Sequence, residues 1–395
     1  MLPDAALAAL AAAGGLAALA WAAILLRPAR PWDLRPVAED CEPPPEPPRW
    51  PTVWVLVPAR NEAACLPRTL PAVLAQDYPG PWRAVLVDDR STDGTGEVAR
   101  RLAAAGGARL AVVDGAPLPE GWAGKVWALA QGLEAAARAP EGRPEYLLLT
   151  DADIRHAPGS LRRLVAESEA GRLALNSRMA RLRCETGAER LLIPPFLFFF
   201  NLLYPMRLVN DPRRRTAASA GGCVLVHGDA LERAGGLAAI HGEVIDDVNL
   251  ARRIKQSGAT IRLAVSRADV VSLREYGSVG AVWRMVRRTA FDELRYSWAL
   301  LVATVLALLL LFPLPPLLAA GGVAAATLGD WPAAAALGAP GLAAWLAQAA
   351  AFSRSTLYFG LGRRWALTLP LGGTLYGGMT LDSALRHALG RGGGW

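Results

Sequence analysis

The stretch VWVLVPARNE, residues 53–62, begins with five apolar residues and ends in an asparagine and a glutamate. Three similar apolar runs follow, with segments long enough for helices between them: AVLVD at 84–88, RLAVV at 109–113 and YLLLT at 146–150. Strands that are apolar along their whole length are typical of a parallel sheet that helices cover on both faces. The sequence therefore predicts an α/β domain built on a parallel sheet.

Polar residues follow three of these four predicted strands. In open α/β sheets, ligands bind beyond the carboxyl ends of the strands. Each polar group alone could be a helix cap or a turn, but three such groups at one edge of a sheet predict a binding site. Its candidate residues are Pro58, Ala59, Asn61 and Glu62 after the first strand, Asp88 and Asp89 after the second, and Asp151 and Asp153 after the fourth.

The kind of ligand follows from the residue types. No Walker A sequence is present and no G-x-G-x-x-G follows a strand, which disfavours a P-loop NTPase and a dinucleotide oxidoreductase. An Asp-x-Asp after a strand supplies carboxylate oxygens, the ligands that Mg2+ and Mn2+ prefer when they bridge to substrate phosphates. We therefore predict a nucleotide diphosphate site with one divalent metal ion.

The composition indicates a membrane protein. The 395 residues are 53% hydrophobic and 19% charged, which excludes a disordered chain. Residues 5–26 carry no charge and are long enough to span the bilayer, with Arg27 and Arg30 directly after them. The predicted division is an N-terminal anchor at 1–30, a Pro-rich linker at 31–51, a soluble domain at 52–296, and a C-terminal membrane region at 297–395.

The C-terminal membrane region has about three apolar segments, near 298–320, 333–352 and 366–382, of which the last could instead be re-entrant or interfacial. Arginines beside these segments place the soluble domain in the cytoplasm by the positive-inside rule. The net charge is +7, but the arginines are dispersed, which argues against nucleic acid as a partner. None of the four cysteines forms a CxxC pair, so no zinc site or disulfide framework is predicted.

Five stretches in the soluble domain resemble the family 2 glycosyltransferases, which have the Rossmann-like GT-A fold. They are VWVLVPARNE (53–62), VLVDDRSTDGT (85–95), GWAGKVWALAQG (121–132), LLLTDADI (147–154) and GEVIDDVNLARRIKQSG (242–258). The resemblance implies that Pro58, Ala59 and Glu62 line the nucleotide pocket and that Asp88 or Asp89 contacts the base or ribose. It also implies that Asp151 contacts the ribose or the metal and that Asp153 ligates the metal.

Lys125 is one of only two lysines in the chain, and it opens a predicted helix after a Gly-containing turn. The resemblance implies that it approaches the donor diphosphate, whereas the alternative is an ordinary surface lysine.

Asp246 and Asp247 stand at the start of a predicted helix, where the helix dipole favours the ionised carboxylate. N-capping alone is the alternative. The resemblance implies that Asp247, with Asp246 beside it, is the general base of an inverting transfer. It also places Gly221, Gly222 and Cys223 near this base.

Two further regions concern the acceptor. The Gln-x-x-Arg-Trp sequence of processive polysaccharide synthases is absent from VGAVWRMVRRTAFDELRYSW at 279–298. We interpret this region as an interfacial amphipathic helix, the alternative being that Arg287 or Arg288 faces the donor diphosphate. The segment LLIPPFLFFFNLLYPMRLVN at 191–210 is interpreted as a second surface segment, whose phenylalanines contact a lipid acceptor.

A narrower resemblance, to the bacterial hopene-associated glycosyltransferases, rests on PLPEGWAGKVWAL (117–129) and VRRTAFDELRYS (286–297). It implies a hopanoid or other polyprenoid-derived acceptor and a location in the bacterial inner membrane. A processive polysaccharide synthase and a non-catalytic membrane scaffold remain as alternatives.

Overall fold

The computed structural model describes residues 3–106, 109–138 and 143–390. Residues 391–395, the end of the predicted C-terminal membrane region, lie outside the described residues. The chain divides into two compact units. The sheet unit comprises Arg35–Arg183 and Met206–Glu275, and the helical unit comprises residues 3–34, 184–205 and 276–390. Residues 184–205 and 276–296, which the sequence analysis includes in the soluble domain, therefore group with the helical unit.

The strands all lie in the sheet unit. Within the described residues they are β1 (Val53–Ala59), β2 (Trp82–Asp88), β3 (Leu110–Asp114), β4 (Tyr146–Thr150), β5 (Ile154–His156), β6 (Leu175–Met179), β7 (Cys223–His227), β8 (Ile261–Val265) and β9 (Val270–Ser272). Seven of them form one sheet in the order β3-β2-β1-β4-β7-β6-β8, and β5 pairs with β9 in a separate antiparallel ribbon.

The helices are divided between the units. They are α1 (Asp4–Leu26), α2 (Leu66–Leu74), α3 (Thr95–Gly106), α4 (Gly124–Ala137), α5 (Ser160–Gly171), α6 (Gly187–Leu203), α7 (Met206–Val209), α8 (Gly228–Arg233), α9 (Asp246–Gln256), α10 (Val279–Arg287), α11 (Ala290–Glu293), α12 (Trp298–Leu311), α13 (Leu314–Thr327), α14 (Trp331–Tyr358) and α15 (Leu369–Ala388). Short 3-10 turns lie at Ala38–Asp40, Leu237–Ile240 and Arg363–Thr368. Helices α1, α6 and α10–α15 belong to the helical unit.

The four predicted strands are present as β1–β4, and they pair in parallel as expected. The sheet as a whole is mixed, however, because β7 runs antiparallel to both β4 and β6. Its first residue, Cys223, pairs with Thr150 at the carboxyl end of β4. The chain thus enters β7 from the edge where β1, β2 and β4 end, so this strand must run back across the sheet. The same reversal leaves Gly221 at that edge.

Helices pack on both faces of the sheet. On one face, Val55 of β1 shares a buried apolar core with Leu70 of α2 and Leu164 of α5. On the other face, Gly132 of α4 lies close to β1 and β2, since a Cβ at Gly132 would be 3.3 Å from Val87 Cγ2 and 3.5 Å from Leu56 Cδ2. Because Gly132 has no side chain, α4 packs directly against the strands, and Lys125 lies in its first turn.

Part of the predicted linker at 31–51 lies on the sheet unit. Val265 N donates to Pro36 O at 3.0 Å. Glu39 Oε1 accepts hydrogen bonds from Ser266 Oγ and from the backbone N–H groups of residues 267–269, at 2.7–2.9 Å. Burial disfavours ionisation of Glu39, but these hydrogen bonds outweigh it and lower the pKa to about 2. The carboxylate therefore fastens this segment to the turn between β8 and β9.

The helical unit contains three helices that are long and apolar enough to cross a membrane, among the residues described: Asp4–Leu26, Trp298–Thr327 and Trp331–Tyr358. The predicted third C-terminal segment, near 366–382, falls mostly on α15, which is not one of them. The second candidate is interrupted between α12 and α13, where Pro315 cannot donate a backbone hydrogen bond to Leu311 O. Trp21 Nε1 and Gln348 Nε2 donate to that carbonyl instead, at 3.0 and 2.9 Å.

The apolar segment at 191–210 does not present all its phenylalanines to a lipid. Its first part lies in α6, and Phe198 is completely buried in the helical unit. The Phe198 ring packs against Trp21 and Phe352, with centroid distances of 6.3 and 5.5 Å. The expectation of a lipid-contacting cluster is therefore wrong for Phe198, because neighbouring helices cover its ring.

Candidate active site

The candidate residues meet at the edge where β1, β2 and β4 end. These three strands are neighbours in the sheet and run parallel, so the loops that follow them lie side by side. A cleft at this edge is lined by side chains from β1, α4, the end of β4 and the start of α9. The lining residues are Pro58, Lys125, Leu129, Leu149, Thr150, Asp151, Gly221, Val224, Asp246, Asp247 and Leu250. Three predicted carboxylates and the predicted lysine thus share one cleft.

Lys125 forms ion pairs with two carboxylates of this cleft. Its Nζ lies 2.8 Å from Asp151 Oδ1 and 3.6 Å from Asp246 Oδ2, and its side chain is only 18% exposed. Burial alone would lower the pKa of Lys125, but the nearby carboxylates Asp151, Asp246 and Asp247 outweigh it and raise the pKa. Lys125 is therefore a charged internal partner of the catalytic candidates and differs from an ordinary surface lysine.

Asp247 is held rigidly beside this lysine. Its Oδ2 accepts a hydrogen bond from Gly221 N at 2.6 Å, and its Oδ1 accepts one from Val248 N at 2.8 Å. Burial and the neighbouring Asp246 raise the pKa of Asp247 to about 7, although Lys125 and the two hydrogen bonds oppose the shift. The helix dipole invoked from the sequence is thus outweighed by desolvation and by a like charge. A carboxylate with a pKa near 7 suits general base catalysis.

The loops after β1 and β2 hold each other in place. Asn61 has a left-handed backbone, with φ of 56°, and its Oδ1 accepts a hydrogen bond from Thr92 N at 2.9 Å. Glu62 N donates to Thr95 Oγ1 at 2.8 Å. The Asn61 side chain therefore ties the loop after β1 to the loop after β2. Ala59, which was predicted to line the nucleotide pocket, is 1% exposed and belongs to the sheet core.

The two aspartates after β2 differ in their surroundings. Asp88 Oδ1 accepts a hydrogen bond from Ser91 N at 3.2 Å, within its own turn. Asp89 is 1% exposed, and its Oδ2 lies 3.2 Å from Arg60 Nη1. Its other oxygen, Oδ1, is buried with no hydrogen-bond donor among the residues that the structure describes. Since a buried acceptor without a partner is costly, Asp89 is the better candidate to accept a hydrogen bond from a ligand.

Asp153 lies beside Arg274, a residue that none of the sequence motifs includes. Its Oδ2 accepts a hydrogen bond from Ser272 Oγ at 2.7 Å and lies 3.3 Å from Arg274 Nε. Arg274 also pairs with Glu62 through Nη2. Arg274 belongs to no motif recognised in the sequence. The signal that could have found it is electrostatic, since two acids predicted at one buried edge require a cation.

The remaining predicted residues lie elsewhere. A Cβ at Gly222 would contact Ile154 Cδ1, and Cys223 is fully buried in β7. It is Gly221 that touches the base candidate. In the helical unit, Arg287 Nη1 lies 3.4 Å from Asp382 Oδ2, and Arg288 is exposed.

The donor set supplies only part of the coordination shell of a divalent metal ion. Over the described residues, no group of three or more His, Cys, Asp or Glu side chains is placed to hold one. Mg2+ is usually bound by one or two carboxylates, with substrate phosphates and water completing its shell. Asp151 and Asp153, at the end of one strand, fit that arrangement.

Comparison with known proteins agrees with this geometry. Residues 54–233 match the model of the family described as glycosyl transferase family 2. No curated protein matches the chain. The mannosyltransferase PcManGT from Pyrobaculum calidifontis, solved in complex with GDP-Man and Mn2+, is 22% identical with a TM-score of 0.56. That similarity covers 98% of this chain and 99% of PcManGT.

Two more distant similarities cover less. TarS from S. aureus is 17% identical over 61% of this chain and 39% of its own, with a TM-score of 0.40. Mannosyl-3-phosphoglycerate synthase from Rubrobacter xylanophilus is 20% identical over 63% of this chain and 77% of its own, with a TM-score of 0.36. These values are too low to support an argument.

The mixed seven-stranded sheet is the GT-A fold, and the fold and the matched segment together define the class: the protein is a glycosyltransferase. Within that class, the family model matches residues 54–233, which are 180 of the 395 residues. The matched segment ends at residue 233, so the catalytic candidates Asp246 and Asp247 lie beyond it.

Proposed function

We propose that this protein transfers a sugar from a nucleotide-sugar to a lipid acceptor, with inversion at the anomeric carbon and with the help of Mg2+ or Mn2+. We further propose that the acceptor is a hopanoid or a related polyprenoid-derived lipid. The protein would then be a multi-pass enzyme of the bacterial inner membrane, with its catalytic unit in the cytoplasm.

One observation carries the proposal of catalysis. Asp247, with a pKa of about 7, lies in the same cleft as Lys125 and Asp151 at the carboxyl edge of the sheet. At neutral pH, about half of this carboxylate is ionised and able to take a proton. An ammonium group lies beside it and can attract a negatively charged diphosphate. A base and an anion-binding group in one cleft are what the transfer requires.

The reaction can be assigned to residues of this chain. Asp247 accepts the proton of the acceptor hydroxyl as its oxygen attacks the anomeric carbon, and the bond from that carbon to the diphosphate oxygen breaks. Lys125 stabilises the negative charge that develops on the departing diphosphate. Asp89 accepts a hydrogen bond from the nucleoside part of the donor. A divalent ion held by Asp151 and Asp153 would act as a Lewis acid on the diphosphate.

The lipid acceptor is supported by the composition of the helical unit. Three of its helices are long and apolar enough to span a membrane, among the described residues. Such helices would hold the enzyme in the membrane, where a lipid acceptor is concentrated. The hopanoid proposal depends only on the resemblance of residues 117–129 and 286–297.

The test is a transfer assay on membranes that contain the full chain. They are incubated with a panel of radiolabelled nucleotide-sugars and Mn2+ or Mg2+, and the lipids are then extracted. Asp247→Asn is the inactive variant. Asp229→Asn is the control, because the Asp229 side chain is 65% exposed and forms a surface pair with Arg143.

Label in the organic phase with one donor, lost in Asp247→Asn and kept in Asp229→Asn, would support a lipid glycosyltransferase. Label only in insoluble polymer would favour a processive synthase. No transfer and no donor binding with any donor would favour a non-catalytic scaffold. EDTA should stop the transfer and added Mn2+ should restore it. Activity unaffected by EDTA would refute the requirement for a metal ion.

A further inference from the structure

Two acidic side chains at the candidate donor site share one arginine. The Glu62 and Asp153 side chains are 12% and 8% exposed, and they follow β1 and β4, which are neighbours in the sheet. The Arg274 guanidinium pairs with Glu62 through Nη2 and lies 3.3 Å from Asp153 through Nε. Buried carboxylates are expensive unless they are paired. Arg274 therefore supplies the positive charge that allows both carboxylates to be buried here.

The backbone fixes Arg274 opposite these acids. Arg274 follows β9, which pairs with β5, and β5 begins directly after Asp153. Leu273 N donates to Asp153 O at 2.9 Å, which ties the two segments together next to the guanidinium. The close approach of Arg274 and Asp153 is thus built into the pairing of two strands.

The balance of charge at Glu62 points in the same direction. Burial raises the pKa of Glu62, and the nearby Asp153 and Asp151 raise it further, while Arg274 opposes the rise. The Arg274 side chain is itself 44% exposed, so water can solvate it when it leaves the pair. An arginine that is exposed on one side and paired with buried acids on the other can be exchanged for another cation.

We propose that Arg274 is the resident cation of the donor site: it neutralises Glu62 and Asp153 in the donor-free enzyme and competes with the divalent metal ion for Asp153. This inference rests on the metal-assisted transfer proposed above. It assigns to Arg274 a positioning role, in which it keeps the carboxylates ready and limits metal binding before the donor, with its phosphates, arrives.

The proposal is tested by Mn2+ binding to the donor-free full chain in detergent, measured from the electron paramagnetic resonance signal of free Mn2+. Arg274→Gln should lower the Kd for Mn2+ about tenfold, because a positive charge next to the metal is removed. Arg274→Lys, whose single ammonium cannot bridge both acids, should lower it about threefold. Arg60→Gln is the matched control, since Arg60 pairs with the buried Asp89 and its side chain is 34% exposed. Its Kd should stay within twofold of the wild type.

Several results would overturn the proposal: an unchanged Kd in Arg274→Gln, weaker Mn2+ binding in that variant, an equal change in Arg60→Gln, or no Mn2+ binding by any form. If Arg274→Gln does not fold, Arg274→Lys decides the matter alone. The measurement uses neither donor nor acceptor. A failure of the lipid transfer assay is therefore distinguishable from a failure of this inference.

Discussion

Replacement of Lys125 by methionine should destabilise the sheet unit in a pH-dependent manner. At an effective dielectric constant of about 20, an ammonium 2.8 Å from Asp151 and 3.6 Å from Asp246 attracts them by about 6 and about 5 kcal/mol before desolvation is subtracted. Removing one partner from a buried ion pair costs about 3–5 kcal/mol net. Because the Asp151 side chain is 36% exposed, we expect the lower value, about 3 kcal/mol.

The sign of the pH dependence follows from the pKa values. The pKa of Lys125 is raised, so the lysine is charged and stabilising throughout the range from pH 6 to pH 8. The pKa of Asp247 is about 7, so that carboxylate needs its cation above pH 7 and becomes neutral below it. The loss in Lys125→Met should therefore be largest near pH 8 and smaller near pH 6. The apparent pKa of transfer should also rise, because Lys125 holds down the pKa of Asp247.

The assay is thermal unfolding of the full chain in detergent at several pH values, with the pH profile of transfer measured beside it. A loss of about 3 kcal/mol corresponds to a Tm lower by about 6–12 °C for a unit of this size. Lys255→Met is the matched control. Lys255 Nζ is bound by backbone carbonyls of Leu208, Val209 and Thr216 at 2.6–3.2 Å. The Lys255→Met variant should lose the same amount of stability at pH 6 and at pH 8.

If Lys125→Met unfolds at the wild-type temperature at pH 8, or if its loss of stability is the same at pH 6, Lys125 does not stabilise these carboxylates. A deficit in Lys255→Met that grows with pH in the same way would show that any buried lysine gives this result.

Three further predictions follow from other contacts. Gly221→Ala should be at least tenfold slower in transfer than Gly222→Ala, measured as initial rates. A Cβ at residue 221 would lie 2.8 Å from Lys125 Nζ and displace it, whereas a Cβ at residue 222 would meet Ile154 Cδ1 at 3.1 Å, which is an apolar core atom. Equal rates would contradict this. In the wild type, kcat/KM should rise with pH through an apparent pKa near 7 as Asp247 ionises, and Asp247→Asn should lose about 10²–10⁴-fold in rate together with that dependence; a flat wild-type profile would exclude Asp247 as the base. Glu39→Gln should destabilise the protein by about 1–2 kcal/mol at pH 7, because the folded pKa of about 2 lies below the usual 4.5. That difference in Tm should shrink as pH falls from about 4.5 towards 2, and a constant difference would refute the assigned role.

Much of the fold could be predicted from local patterns. The runs at 53–57, 84–87, 110–113 and 146–149 are apolar throughout, and such runs are typical of strands covered on both faces. The residues that follow parallel neighbouring strands must meet at one edge, so the cleft could be placed before any contact was known. The antiparallel β7 was not predicted, since the strand pattern of residues 223–227 does not show its direction.

What the sequence by itself determined is the set of chemical groups: strand ends rich in carboxylates, one lysine at the start of α4, and an acidic pair that begins α9. The tertiary structure alone decided which of these groups touch. Arg274 is far from both Glu62 and Asp153 in the chain, yet the pairing of β5 with β9 brings it to them. The elevated pKa of Asp247 likewise arises from burial and from a neighbouring charge. Burial and distances between charges depend on how remote segments pack, and no local pattern of residues records them.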